Sequence, residues 1–153
     1  MSTNEQPNDG LDSLIPIETA INPYDAIGSW WGRAVLRHAL NNGAVDRLPT
    51  ELMGLAAEAS VARRSGIEEN IGGFAQALAG LLIETNGRAV RVDYNADPLL
   101  LEAAERAGMP ADNMTTFPWH SSTIICPLLV GESVVIAKEG YGAPDVQIWP
   151  PAT

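Results

Sequence analysis

Pro118-Trp-His-Ser-Ser-Thr-Ile-Ile-Cys126 gathers an imidazole, several hydroxyls and a thiol in one short stretch. A serine hydrolase needs a hydroxyl within hydrogen-bond reach of a histidine, a third group to orient that ring, and donors for an oxyanion. His120 beside Ser121 and Ser122 supplies only the first two residue types. Neighbours entering a strand point to opposite faces, so His120 and Ser121 diverge. The Gly-x-Ser-x-Gly elbow of α/β hydrolases is missing from the sequence. His120 and Ser122 come nearest to a catalytic pair, yet they do not make a catalytic set. The plainer reading is a loop entering a strand, with hydroxyls that close local turns.

The other reactive groups are equally sparse. Cys126, between Ile125 and Pro127, reads as a small buried hydrophobe, because no cation or helix N-terminus adjoins it to stabilise a thiolate. His38 and His120 lie far apart. Asp93 and Asp97 lack the spacing of a calcium loop, and Asp97 is better placed as a helix cap. Gly140-Tyr-Gly142 has neither the lysine nor the following helix of a phosphate loop. No cofactor or metal is expected.

Charge narrows the partners. Nineteen acidic residues face nine basic ones, for a formal charge of -10. Nucleic-acid binding draws on clustered Lys and Arg that displace counterions, and this chain has a single lysine, Lys138. Direct contact with nucleic acid or an anionic membrane is therefore not expected. The acidity serves solubility or attracts a basic partner. No apolar run reaches the ~20 residues of a membrane span, and Met1 to Gly10 carries neither the basic nor the apolar part of a secretory signal. A lone cysteine forms no internal disulfide. These features point to the cytoplasm, or to a particle assembled there.

The apolar and aromatic residues carry a different message. Trp30, Trp31, Trp119 and Trp149 make up four of the nine aromatic residues, and two of them adjoin prolines. Leu14 to Ile21 is an apolar stretch broken by Pro16, with Ile15 and Ile17 suited to lie on a surface. Trp30 and Trp31 point about 100° apart on a helix, so either both enter one core or one serves an interface, where tryptophan is a favoured anchor. Ile15, Ile17, Trp30, Trp31, Trp119 and Trp149 are the interface candidates.

The elements that position these residues follow from periodicity. The pattern predicts α+β: an N-terminal three-helix region over about 22–86, packed on a small antiparallel sheet with one further helix over about 88–149. Residues 1–21 read as a polar, acidic arm and an extended segment, and 22–153 as a single domain. Asn22-Pro23 opens the first helix, with an N-cap and a proline at the first position, and Asn42-Gly43 ends it. Pro49 to about Arg64 is the second, with Leu52, Leu55, Ala56 and Ala59 on its apolar face and Arg63-Arg64 in its last turn. Ser65 and Glu68 form a capping box for a third. In that helix Ile67, Ile71, Phe74, Leu78 and Leu82 make an apolar stripe, and Gly73, Ala77 and Gly80 a small-residue face. Asn86-Gly87 stops it.

Beyond Gly87 the period drops to two. Val90, Val92 and Tyr94 alternate with Arg91 and Asp93 as a half-buried strand. Asp97-Pro98 opens the further helix, and Gly108 ends it. Thr123 to Val130 and Ser133 to Lys138 form a hairpin about Gly131-Glu132, and Val146 to Trp149 is a final strand. Pro127 demands an edge or a bulge.

The functional expectation is a non-enzymatic protein that acts through protein contacts, most simply a structural subunit of a homo-oligomeric assembly such as a virion component. An acidic inhibitor or immunity-type protein that docks on a basic partner is the alternative. A small hydrolase-like enzyme using His120 is the second alternative.

Overall fold

The computed structural model describes residues 14–40, 50–127 and 133–150, with the backbone alone at 40 and 50–61. The arm at 1–13, the Asn42-Gly43 stop, Pro49, the side chains of Leu52, Leu55, Ala56 and Ala59, and the Gly131-Glu132 turn lie outside that description.

Within it the fold is α+β, with three α-helices and a four-stranded antiparallel sheet. A short 3₁₀ turn, Ile17–Thr19, leads into α1, Pro23–Leu40. Asn22 caps α1 as its sequence suggests: its side-chain oxygen accepts the Asp25 amide at 2.8 Å.

The expected three-helix region is in fact two helices. The second and third merge into α2, Thr50–Thr85, a rod of 36 residues. Ser65 and Glu68 sit inside it rather than at its start. No proline interrupts this span, so each amide near Ser65 finds an i−4 carbonyl and has no use for a cap. Gly66 is accommodated there because the Pro110 ring lies where its Cβ would project, 3.0 Å away. Arg63 and Arg64 are accordingly exposed mid-helix residues. Asn86, at φ 54°, takes the left-handed position that ends α2, and the Gly87 amide closes on the Leu82 carbonyl at 2.9 Å.

Strand β1, Ala89–Val92, is followed by α3, Pro98–Ala107, then by β2, Ser121–Pro127, β3, Ser133–Lys138, and β4, Val146–Trp149. Asp97 caps α3 through the Leu99 amide at 3.0 Å, and Gly108 at φ 73° ends it. The strands pair in sequence order, β1-β2-β3-β4. Tyr94 does not extend the buried face of β1, because the strand stops at Val92 and the tyrosine turns outward. Pro127 is tolerated on an inner strand because β1 pairs only as far as Ile124, so Pro127 has a neighbour on the β3 side alone.

One core joins these parts. Trp31, Phe74, Phe117, Ile27, Ile71 and Leu78 are among its largest fully buried side chains. Phe74, Leu78 and Leu82 are all buried, as the stripe requires. The inner face of the sheet contributes Val90, Val92, Thr123, Ile125, Val135 and Ala137. Helix α1 touches this face, and α2 packs against both α1 and α3. Gly28 brings α1 onto α2: a Cβ there would strike the Ala75 carbonyl oxygen. That contact uses the Ala75 backbone beside the apolar stripe, while Gly73 of the small-residue face lies toward Ala107 of α3.

Candidate functional site

The outer face of the sheet is where polar chemistry collects. Cross-strand register places Arg91 of β1 opposite Ser122 of β2, and Ser122 opposite Lys138 of β3. Alternation turns all three away from the core, while their neighbours Val90, Val92, Ser121, Thr123 and Ala137 are buried. The row is therefore a cation, a hydroxyl and a cation on adjacent strands. It borders a groove of roughly 440 Å³ whose apolar lining includes Ile124 and Ile136. Asp93 and Asp145 also line the groove. Among the described residues the ion pairs are Arg37 with Glu139, and Arg106 with Glu84 and Glu102; neither Arg91 nor Lys138 takes part.

A row of four aromatic rings reaches the groove through two of its members, His120 and Tyr141. Trp119 meets Tyr94 edge-on at 5.1 Å between centroids, Tyr94 meets His120 at 4.9 Å, and His120 meets Tyr141 at 5.4 Å. Edge-to-face contacts at these separations are favourable ring geometry. His120 is held left-handed at φ 59°, and its amide bonds the Asp93 carbonyl at 3.2 Å. A non-glycine residue in that region is uncommon, and the surrounding contacts must fix it. Tyr141 sits on a turn between Gly140, φ 98°, and Gly142, φ 78°. The buried Ser121 hydroxyl accepts the Gly140 amide at 3.0 Å and so ties that turn to β2.

This arrangement decides how the sequence candidates lie. Ser122 and His120 both border the groove. The half-buried His120 ring packs between two tyrosines rather than on Trp119, and no described side chain hydrogen-bonds to its ring nitrogens. Ser121 is engaged with Gly140 and with the Trp119 carbonyl. His38, the other histidine, bonds the Thr115 carbonyl at 2.9 Å. Cys126 is half-buried on β2 rather than fully enclosed. Among the described residues, no group of three or more His, Cys, Asp or Glu side chains is placed to hold a metal, and no helix is long and apolar enough to cross a membrane.

The interface candidates divide. Trp30 and Trp31 are both buried in the chain's own core, packed edge-on at 4.9 Å. Trp31 donates its indole N–H to the Thr123 hydroxyl at 2.9 Å, joining α1 to β2. Trp119 is exposed and donates to the Met114 carbonyl at 2.8 Å. Trp149 is half-buried and donates to the Ala20 carbonyl at 2.9 Å, which ties β4 to the N-terminal segment. Ile17 is half-buried and Ile15 exposed. The sequence reading missed Arg91, Lys138, Tyr94 and Tyr141 as a group. The available signals were a lone lysine ending a strand and an arginine on the polar face of another.

The chain matches no family model, and no match was found among curated proteins or solved structures.

Proposed function

We propose that the protein is a non-enzymatic subunit that works by binding further copies of itself, as in a homo-oligomeric assembly such as a virion component. The observation that carries this reading is the unfinished margin of the sheet at β4. Val146 pairs with Ala137 and continues the inner row of the sheet, yet it is 51% exposed. Next to Ala20, which holds the Trp149 indole, Ile21 is 86% exposed. The far edge of β4 has no partner strand among the described residues. An unpaired edge flanked by apolar side chains is a template for another chain, and a two-fold axis would let the same edge serve both copies.

Size-exclusion chromatography with light scattering tests this reading at micromolar concentration. The wild-type chain is expected to elute as an oligomer. Ile21→Asp and Val146→Asp are expected to shift it to monomer with little change in melting temperature, because both side chains are exposed in one copy. A monomeric wild-type chain would sink the proposal.

A further inference from the structure

We propose that the groove on the outer face of the sheet binds a small aromatic anion, with its charged group between Arg91 and Lys138 and its ring beside His120 and Tyr141. The site lies on a face of the sheet rather than along the β4 edge, so it goes beyond self-association and does not depend on it.

The charge argument starts from register. Arg91 and Lys138 are two strands apart, which sets their backbones roughly 10 Å from each other, with Ser122 midway. Long flexible side chains at that spacing can converge on one carboxylate or phosphate, and the Ser122 hydroxyl can donate to the same group. Acidic residues outnumber basic ones two to one in this chain, yet none of the described carboxylates is paired with either cation. Asp93 and Asp145 border the same groove without forming an ion pair with either cation, so an anion seated between Arg91 and Lys138 would be their direct partner.

The ring argument is separate. The groove has Ile124 and Ile136 in its lining, and His120 and Tyr141 at one end. Tyr141 is 86% exposed although a buried hydroxyl anchors its turn. A flat apolar ring on the ligand would cover that surface and stack against those rings. Asp93 and Asp145 limit the charge the ligand can carry. A polyanion extending past the two cations would meet these carboxylates, so a single anionic group on a small ring fits and a nucleic-acid strand does not.

Phenyl phosphate, benzoate and inorganic phosphate are the probes, titrated into the full chain and followed by amide chemical shifts of Ser122, Lys138 and Tyr141. A ligand this small in an open groove is expected to bind at a Kd of about 1 mM. Saturation by phenyl phosphate assigns a phosphate ligand, and saturation by benzoate a carboxylate; either supports the site. Arg91→Gln and Lys138→Gln should each weaken binding by about tenfold, the loss of one charge-assisted hydrogen bond. Both are surface changes, and an unaltered melting curve confirms that the fold is kept. Tyr141→Ala should reduce the preference for the aromatic probes over inorganic phosphate. The proposal is overturned if neither aromatic probe saturates at about ten times that Kd, if the Arg91→Gln, Lys138→Gln double variant binds as the wild type does, or if inorganic phosphate binds as tightly as the aromatic probes.

Discussion

Trp31 shows how one side chain can tie two elements. Its ring fills the core while its indole N–H reaches the Thr123 hydroxyl, which is itself fully buried. A buried polar group without a partner costs more than a paired one contributes. Trp31→Phe should therefore cost about 1–3 kcal/mol beyond the loss of ring area. Adding Thr123→Val to that background should restore part of it. A double-mutant cycle in denaturant reads the coupling directly, and additive losses would show that the hydrogen bond contributes nothing. Asp112 offers a pH-dependent counterpart. The Met114 amide, then the Thr115 hydroxyl, hold its carboxyl below the usual carboxylate range. A depressed pKa adds stability above the unfolded-state value, and that stability is lost as pH falls through the folded-state value. The gap in melting temperature between wild type and Asp112→Ala should be full at neutral pH and should narrow as acidification protonates the carboxylate. A gap that stays constant with pH would remove the carboxylate from the explanation.

Helices and strands were legible from the chain to different depths. Caps and stops were local and came through: Asn22, Asp97 and Gly108 each act where their types suggest. The boundary between the second and third helices did not, because the Ser65 and Glu68 signature describes a helix start only if the preceding residues are not already helical. In α2 they are, and the proline contact that shelters Gly66 comes from Pro110, far along the chain. The candidate site was legible only in part for a similar reason. His120 and Ser122 stood out as types, whereas Arg91 and Lys138 meet through cross-strand register, which no local pattern records. Tyr94 joined the ring row because β1 ends before it. The α1 and α2 contact gives the test at this scale. Gly28→Ala would push a methyl group into the Ala75 carbonyl, and backbone on both sides cannot rotate away. A loss of about 1–3 kcal/mol in denaturant unfolding is expected, as for overpacked cores. Gly80→Ala is the control, since a Cβ there meets nothing within 4 Å. In an α-helix that change should be neutral or stabilising by up to about 1 kcal/mol. Equal effects at the two glycines would contradict the close packing.

At the scale of the whole molecule, the proposed assembly sets two forces against each other. Each copy carries a formal charge of -10, so copies repel. The margin proposed to join them is apolar, formed by Ile21 and Val146 beside the β4 edge. Salt acts on these forces in opposite ways from what an ion-paired interface would show. Repulsion between exposed charges is screened over about 10 Å at 0.1 M ionic strength and over about 3 Å at 1 M. Burial of apolar surface is not weakened by that screening, and salts excluded from the surface strengthen it. Association should therefore tighten as sodium chloride is raised, and sedimentation velocity at a fixed protein concentration should show the oligomer fraction growing. The Val146→Asp variant should remain monomeric across the series, because it adds charge and removes the apolar contact together. An oligomer that dissociates with added salt would mean that ion pairs hold the copies, and the contact would then have to be sought away from the β4 edge.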